Sequence, residues 1–247
     1  MTRSCAAGRA GCFAGSLLLH QLRFERVVFR RNPSAAFFNF VLPLLLLVLV
    51  ASVFADDDDE LRVLIPGIAG MSIMATTFTA LAFNVTFLRE QGILKRVRGT
   101  PIPVRDYLGA LVGSAVINAV VQVVLVFAIG KLAYGVDLPD APAAALVYAA
   151  AGVATFAALG IAFAHAIPNF DAAGAYTNAV FLPAIFISGV FYSADDLPPV
   201  LEAIGQSLPL KHVIDGLAGD GFGAGLAVVG TWGALGAILG VRYFRWD

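Results

Sequence analysis

Apolar residues fall along this chain in blocks of about twenty, separated by short polar or proline-bearing segments, and about twenty is the length an α-helix needs to cross bilayer hydrocarbon. Six blocks are legible: Ser34 to Phe54, Val63 to Phe87, Tyr107 to Gly130, Ala143 to His165, Ala172 to Tyr192 and Gly221 to Tyr243. None carries Asp, Glu, Lys or Arg across its central turns. The pattern predicts an all-α membrane protein with six transmembrane helices. Asn32-Pro33 supplies a helix-start signal ahead of the first block, and the carboxylates Asp56 to Glu60 end it.

Four other segments have a pattern of their own. Residues 1–12 read as a basic tail. From Phe13 to Arg31, Leu18, Leu22, Val28 and Phe29 share a broad face, while Arg23, Arg26, Arg30 and Arg31 lie largely elsewhere. That suits an amphipathic interfacial helix with its arginines towards headgroups, or the same helix packed on the protein itself. The chain therefore divides into a tail with an amphipathic helix, 1–32, and a six-span domain, 33–247. The loop Leu88 to Asp106 contains a predicted short helix, Glu90 to Arg98, stopped by Gly99 and Pro101. The segment Ser193 to Asp220 has Pro198-Pro199, an amphipathic stretch Val200 to Leu208, then Pro209 and a second stretch to Leu217. It is too apolar for a solvent loop and too interrupted for a span. A re-entrant helical hairpin between spans five and six fits it, provided protein or a wet cavity shields its irregular backbone.

Composition agrees with the pattern. The 247 residues are 59% hydrophobic and 13% charged, with a mean hydropathy of +0.84, too little polar surface to coat a soluble globule. The net charge of −1 directs nothing towards nucleic acid. The distribution of basic residues is more informative. With the N-terminus in the cytoplasm, thirteen of the sixteen Lys and Arg fall inside, and only Arg62, Lys131 and Lys211 fall outside. This predicts a multi-pass protein of the cell membrane with both termini cytoplasmic.

Chemical motifs are mostly absent. Gly130-Lys131 is followed by Leu132 and makes no phosphate-binding loop, and no metal-ligand spacing exists. His20, His165 and His212 read as boundary or packing residues. Cys5 and Cys12 make no disulfide framework. Cys12 lacks the preceding apolar run of a lipid-anchored cysteine, and the N-terminus lacks the cleavage site of a signal peptide. The expectation is a chain without catalytic residues, bound cofactor or metal. Ion-coupled transporters keep an ionisable group at mid-membrane, and no block has one. The polar groups within the blocks, Thr76, Thr77, Thr79, Asn84, Asn118, Gln122, Thr177 and Asn178, read as helix–helix hydrogen bonding, and Gly230, Gly233, Gly236 and Gly240 as close helix packing. Without power of its own, a transporter must receive it at the inner face, and Leu88–Asp106 is the only long internal loop.

Two stretches carry a resemblance. One is Arg89-Glu90-Gln91-Gly92-Ile93-Leu94-Lys95-Arg96 with Gly99-Thr100-Pro101. The other is Ser188-Gly189-Val190-Phe191 followed by Asp196-Leu197-Pro198 and Leu208-Pro209-Leu210-Lys211-His212-Val213-Ile214-Asp215-Gly216-Leu217. The chain resembles the membrane permease subunit of type-2 ABC exporters, particularly their drug- and antibiotic-resistance branch, over nearly its whole length. The resemblance implies two permease copies in a homodimer, with separate ATP-binding-cassette subunits docked below that bind the ATP and Mg. It implies that the amphipathic helix is a connecting helix and that Glu90–Arg98 is a coupling helix. Arg89, Glu90, Gly92, Leu94, Lys95, Arg96, Thr100 and Pro101 would then meet the ATPase. It implies an outer gate at Gly189, Phe191, Pro198, Pro209, His212 and Asp215, and a path lined by spans one, two and five. Phe78, Thr79, Phe83, Asn178, Phe181 and Phe186 are candidates for that path. Uncharged spans favour a hydrophobic or amphipathic cargo, drug-like or lipid-like.

The family often carries an arginine after the hairpin's aspartate and alanine; here Gly216-Leu217-Ala218 stands there. The Asp56–Glu60 cluster reads as a solvated loop cap, or as an attractor for cations. An ATP-independent transporter or channel, and a non-transporting anchor or immunity factor, are the competing readings. The first predicts flux from this chain alone, the second no flux with any partner.

Overall fold

The computed structural model describes residues 23, 27, 31, 33, 37–53, 58–98, 104–137, 139, 141–192, 198–219 and 223–243. Most of the amphipathic segment, Thr100, Pro101, Asp56 and residues 193–197 lie outside them. Among the described residues there is no strand. A π-helical turn, Phe37–Val41, leads into α1 (Leu42–Val53). Helix α2 (Asp58–Met74) continues through a π-helical turn, Ala75–Thr79, into α3 (Ala80–Glu90). Then follow α4 (Ile93–Arg98), α5 (Val104–Tyr134), α6 (Pro142–Phe163), α7 (Phe170–Ile187), α8 (Pro199–Ser207), α9 (Pro209–Ala218) and α10 (Ala224–Tyr243).

Five of these are long and apolar enough to cross a membrane: the α2–α3 rod, α5, α6, α7 and α10. Among the described residues the first apolar block is helical over 37–53, the 5-residue π turn running into the 12 residues of α1, which alone are shorter than a span.

The α2–α3 rod is central. Its apolar window is 78% buried within the chain, against 22% for α7 and 11% for α10. Two features of sequence stand out along it. Pro66 removes one backbone donor inside the helix. Beside it, Gly67 has no side chain where the Ser188–Val190 turn crosses, so a Cβ there would stand 2.1 Å from the Val190 carbonyl oxygen. Farther along the rod, Gly160 of α6 meets the π turn, with an added Cβ only 2.6 Å from the Phe78 carbonyl oxygen. π turns bulge one residue out of the ladder, and Gly160 is the notch that receives this one.

Helix α9 is amphipathic in the helical period. Leu210, Val213, Ile214 and Leu217 are buried together. Leu210 and Ile214 lie against Gly70 of α2, Val213 against Gly152 of α6, and Gly216 against the Tyr148 ring. Gly70 is twelve residues into α2, about 18 Å along the helix from Asp58 at 1.5 Å per residue.

The threonines depart from the expectation of interhelical bonding. Thr76, Thr77 and Thr177 donate to the carbonyls of Ser72, Ile73 and Ala173, four residues back in their own helices, at 2.7, 2.5 and 2.7 Å. A buried hydroxyl finds the carbonyl of its own preceding turn without waiting for a neighbour. Thr155 and Gln122 do bond across helices, to Val229 O at 3.0 Å and Phe40 O at 3.5 Å. Of the α10 glycines, Gly233 and Gly236 pack against α6, and a Cβ at Gly230 or Gly240 would meet nothing within 4 Å.

Candidate coupling and gating sites

The loop between α3 and α5 differs from its predicted form. A single helix Glu90–Arg98 was expected; the chain instead ends α3 at Glu90, turns at Gln91-Gly92 and restarts as α4 at Ile93. Gly92 adopts φ +65°, a left-handed conformation that ends a helix and that side-chain-bearing residues avoid. Arg89 and Glu90 therefore belong to the end of the long rod.

Both face the turn between α6 and α7. The Arg89 guanidinium donates to Ala164 O at 3.1 Å and to Ile167 O at 2.5 Å. The Glu90 carboxylate accepts from the Phe170 backbone N–H at 2.6 Å. Ala164 is the C-cap of α6 and Phe170 the first residue of α7. A cation thus sits at a helix C-terminus and an anion at a helix N-terminus, each where the backbone dipoles favour it. The side chain of Asn169 completes the α7 cap by accepting from Ala172 N at 2.9 Å. The Phe170 ring packs edge-on against Phe83 and Phe87, at 6.0 and 5.4 Å.

Helix α4 is two-faced. Leu94 is 1% exposed, in a cluster with Leu81, Leu88, Tyr107, Leu111 and Ala157, while Lys95 and Arg96 are exposed. Three long helices and α4 share that cluster.

At the other end, Gly189 turns the chain after α7 with φ +70°. Phe191 lies in tilted contact with Phe186 at 6.0 Å, and the Tyr192 hydroxyl donates to Phe186 O. Pro198 precedes α8 and is exposed, and Pro209 starts α9 and is buried. His212 Nε2 lies 2.9 Å from Gln206 O, and Lys211 pairs with Asp215 at 2.6 Å. Lys211 was not among the expected site residues, although its i,i+4 spacing from Asp215 was a readable signal.

The expected path residues lie in different surroundings, with Phe78 and Phe181 packed in one cluster. Phe78 is 4% exposed and packs on Phe163 at 5.3 Å. Thr79 has a buried hydroxyl with no hydrogen-bond partner among the described residues. Phe83 faces Phe170. Asn178 and Phe186 are exposed, and Phe181 is half-buried. Among the described residues no group of His, Cys, Asp and Glu could hold a metal ion.

A central membrane-length rod, four further membrane-length helices and a charged turn tied to its neighbours define a multi-pass membrane protein. The family model for ABC-2 type transporters matches residues 17–220. The chain belongs to that family, whose members are membrane transport subunits. It is 38% identical over 69 residues to nodulation protein J of Rhizobium leguminosarum bv. trifolii, covering 28% of this chain and 26% of that one. It is 23% identical over 156 residues to the inner membrane transport permease YadH of Escherichia coli K12, covering 63% of this chain and 60% of that one. These matches span less than two thirds of the relatives' length.

Proposed function

We propose that this chain is the permease subunit of an ATP-driven exporter. Two copies pair as a homodimer, and separate ATP-binding-cassette subunits, which bind the ATP and Mg, dock against the cytoplasmic face. The cargo is hydrophobic or amphipathic, drug-like or lipid-like. In this reading the apolar block of α1 is a sixth span, and both termini lie in the cytoplasm. Residues 33–247 form one permease domain, and α8–α9 is a re-entrant hairpin. The contact of Leu210 with Gly70 supports that depth for the hairpin, and thirteen of sixteen basic residues on one side support the orientation.

One observation carries the reading: Lys95 and Arg96 face outward on a helix whose opposite side, Leu94, is locked into α3, α5 and α6. A push on the exposed face of α4 enters the packed interior, and Arg89 and Glu90 pass it to the α6–α7 turn. In this mechanism closure of the ATPases drives α4, Thr100 and Pro101 take part in the same contact, and the motion reaches Gly189, Phe191, Pro198, Pro209, His212 and Asp215 at the outer side. Cargo passes between the permeases near Phe78, Thr79, Phe83, Asn178, Phe181 and Phe186.

The test is to purify the chain with its ATP-binding-cassette partner, reconstitute both, and measure nucleotide hydrolysis and flux. Lys95→Glu with Arg96→Glu abolishes flux and releases the ATPase while leaving the permease folded. Concentrative flux by the permease alone under an ion gradient would establish the ATP-independent reading instead.

A further inference from the structure

A cavity of about 530 Å³ lies between α6, α7 and α10, floored by Met74 and Phe78 of the central rod. It falls in the range of roughly 300–1,000 Å³ typical of small-molecule sites. It is separate from the expected path, sharing only Phe78 with it.

Its walls restrict what it can hold. Of the lining side chains only His165 and Trp232 carry nitrogen or oxygen. The Trp232 indole N–H is already used, donating to Ser207 O at 2.8 Å. That bond also fixes the adjacent turn Leu208–Leu210, which lines the end of the cavity away from His165. A ligand with polar groups along its body would lose its hydrogen bonds to water and gain none.

The other end is different. His165 and Ala166 border it, half-buried and exposed. The Arg89–Glu90 pair holds this same turn, through Ala164, Ile167 and Phe170, and Asp171 is exposed next to it. Charges of both signs therefore hold or flank the turn that borders the cavity, one guanidinium and two carboxylates. Mixed charge complements a zwitterionic headgroup, which brings a phosphate and an ammonium together.

Length points the same way. From Phe156 to Phe163 the cavity follows α6 for about 10 Å at 1.5 Å per residue and then runs past the helix end to His165, towards half of a hydrocarbon core of about 30 Å. Val180 of α7 and Leu239 of α10, 39% and 37% exposed, leave the side open towards lipid.

We infer that this groove is a binding site for one acyl chain of a zwitterionic phospholipid. The head rests at His165–Ala166 and the chain end lies against the Leu208–Leu210 turn. Placing that lipid in the inner leaflet rests on the orientation proposed above; the site itself does not. A phospholipid tail held here touches both the turn tied to α3 and the tip of the outer hairpin, so its presence couples the two ends of the molecule.

The test uses the full chain in phosphatidylcholine vesicles, with a phosphatidylcholine bearing a diazirine at the end of one acyl chain. After photolysis and digestion, labels are located by mass spectrometry. Label is expected at Leu208–Leu210, Met74 and Trp232, above that on the lipid-facing residues Val124 and Leu146. Ala184→Phe and, separately, Ala162→Phe fill the groove and cut that labelling several-fold. Ala150→Phe, an exposed position on α6 that does not line the groove, leaves it unchanged and controls for folding. Equal label at Val124 and Leu208, or label insensitive to both filling substitutions, means annular lipid only and overturns the proposal. Equal competition by an alkyl alcohol lacking a headgroup overturns the phospholipid assignment. Orientation is read separately, from the side on which Ala166→Cys, in a chain with Cys5→Ser and Cys12→Ser, reacts with an impermeant maleimide.

Discussion

Glu90 accepts a hydrogen bond from the backbone N–H of Phe170, eighty residues away, at 2.6 Å, so the last residue of the central rod caps the first residue of α7. A rod that reaches the cytoplasmic face by the proposed topology is thereby attached to a helix on the opposite side of a turn. Removing the carboxylate leaves that N–H without its anion. Glu90→Ala should loosen the cap by about 1 kcal/mol and speed amide exchange at Phe170 about fivefold. Exchange measured by mass spectrometry across 164–172 checks this. Unchanged exchange there would show that the bond has no energetic weight.

Arg89 differs from a general positive charge because its two terminal nitrogens reach two carbonyls at once, Ala164 O and Ile167 O. Arg89→Lys keeps the charge but offers a compact ammonium in place of the planar fork. It should behave closer to Arg89→Ala than to wild type in nucleotide-stimulated flux, with the chain still inserted and folded. Full activity in Arg89→Lys would mean that charge alone matters at this site.

Gly67 and Gly230 make a matched pair. A Cβ at Gly67 would stand 2.1 Å from the Val190 carbonyl oxygen, a backbone atom that cannot swing aside, whereas a Cβ at Gly230 meets nothing within 4 Å. Gly67→Ala should cost about 1–3 kcal/mol, from overpacking. Gly230→Ala should be neutral or stabilise by up to about 1 kcal/mol, because alanine restricts the unfolded chain. Thermal unfolding in detergent compares them directly.

Leu94 separates stability from coupling. It is 1% exposed in a cluster shared by α3, α4, α5 and α6. Leu94→Ala should destabilise by about 2–5 kcal/mol. Lys95→Ala and Arg96→Ala, on the exposed face, should leave the melting temperature unchanged while lowering partner-dependent ATP hydrolysis. If all three substitutions lowered the melting temperature alike, α4 would be a structural helix without a docking face.

Thr155 provides the described cross-helix threonine bond, to Val229 O at 3.0 Å between α6 and α10. Thr155→Val keeps the volume and removes the donor. The cost should be about 0.6 kcal/mol and no more than about 1.7 kcal/mol, the range measured for such bonds in lipid. Equilibrium unfolding in mixed micelles can resolve it.

Much of the helical layout was legible along the chain. Length and hydropathy mark the rod, α5, α6, α7 and α10 because lipid demands a minimum run of apolar residues and forbids unpaired backbone. Proline at Pro199 and Pro209 marks the starts of α8 and α9 for an equally local reason: a ring that fixes φ and lacks an N–H suits the first turn of a helix. The first block was harder, since hydropathy does not distinguish an α-helix from the π turn at Phe37–Val41.

Which side chains meet was decided by the tertiary structure alone. The sequence put Glu90 in a coupling helix with Lys95 and Arg96, and nothing local tells it to reach Phe170. Phe78, Phe83 and Phe186 look alike as aromatic positions, yet one packs on Phe163, one on Phe170 and one on Phe191. The bilayer reads each segment for its transfer free energy, one helix at a time, so composition is enough to say that a segment inserts. Choosing neighbours depends on close approach at Gly67, Gly70 and Gly160, where a missing side chain matters only once the opposing surface is in place.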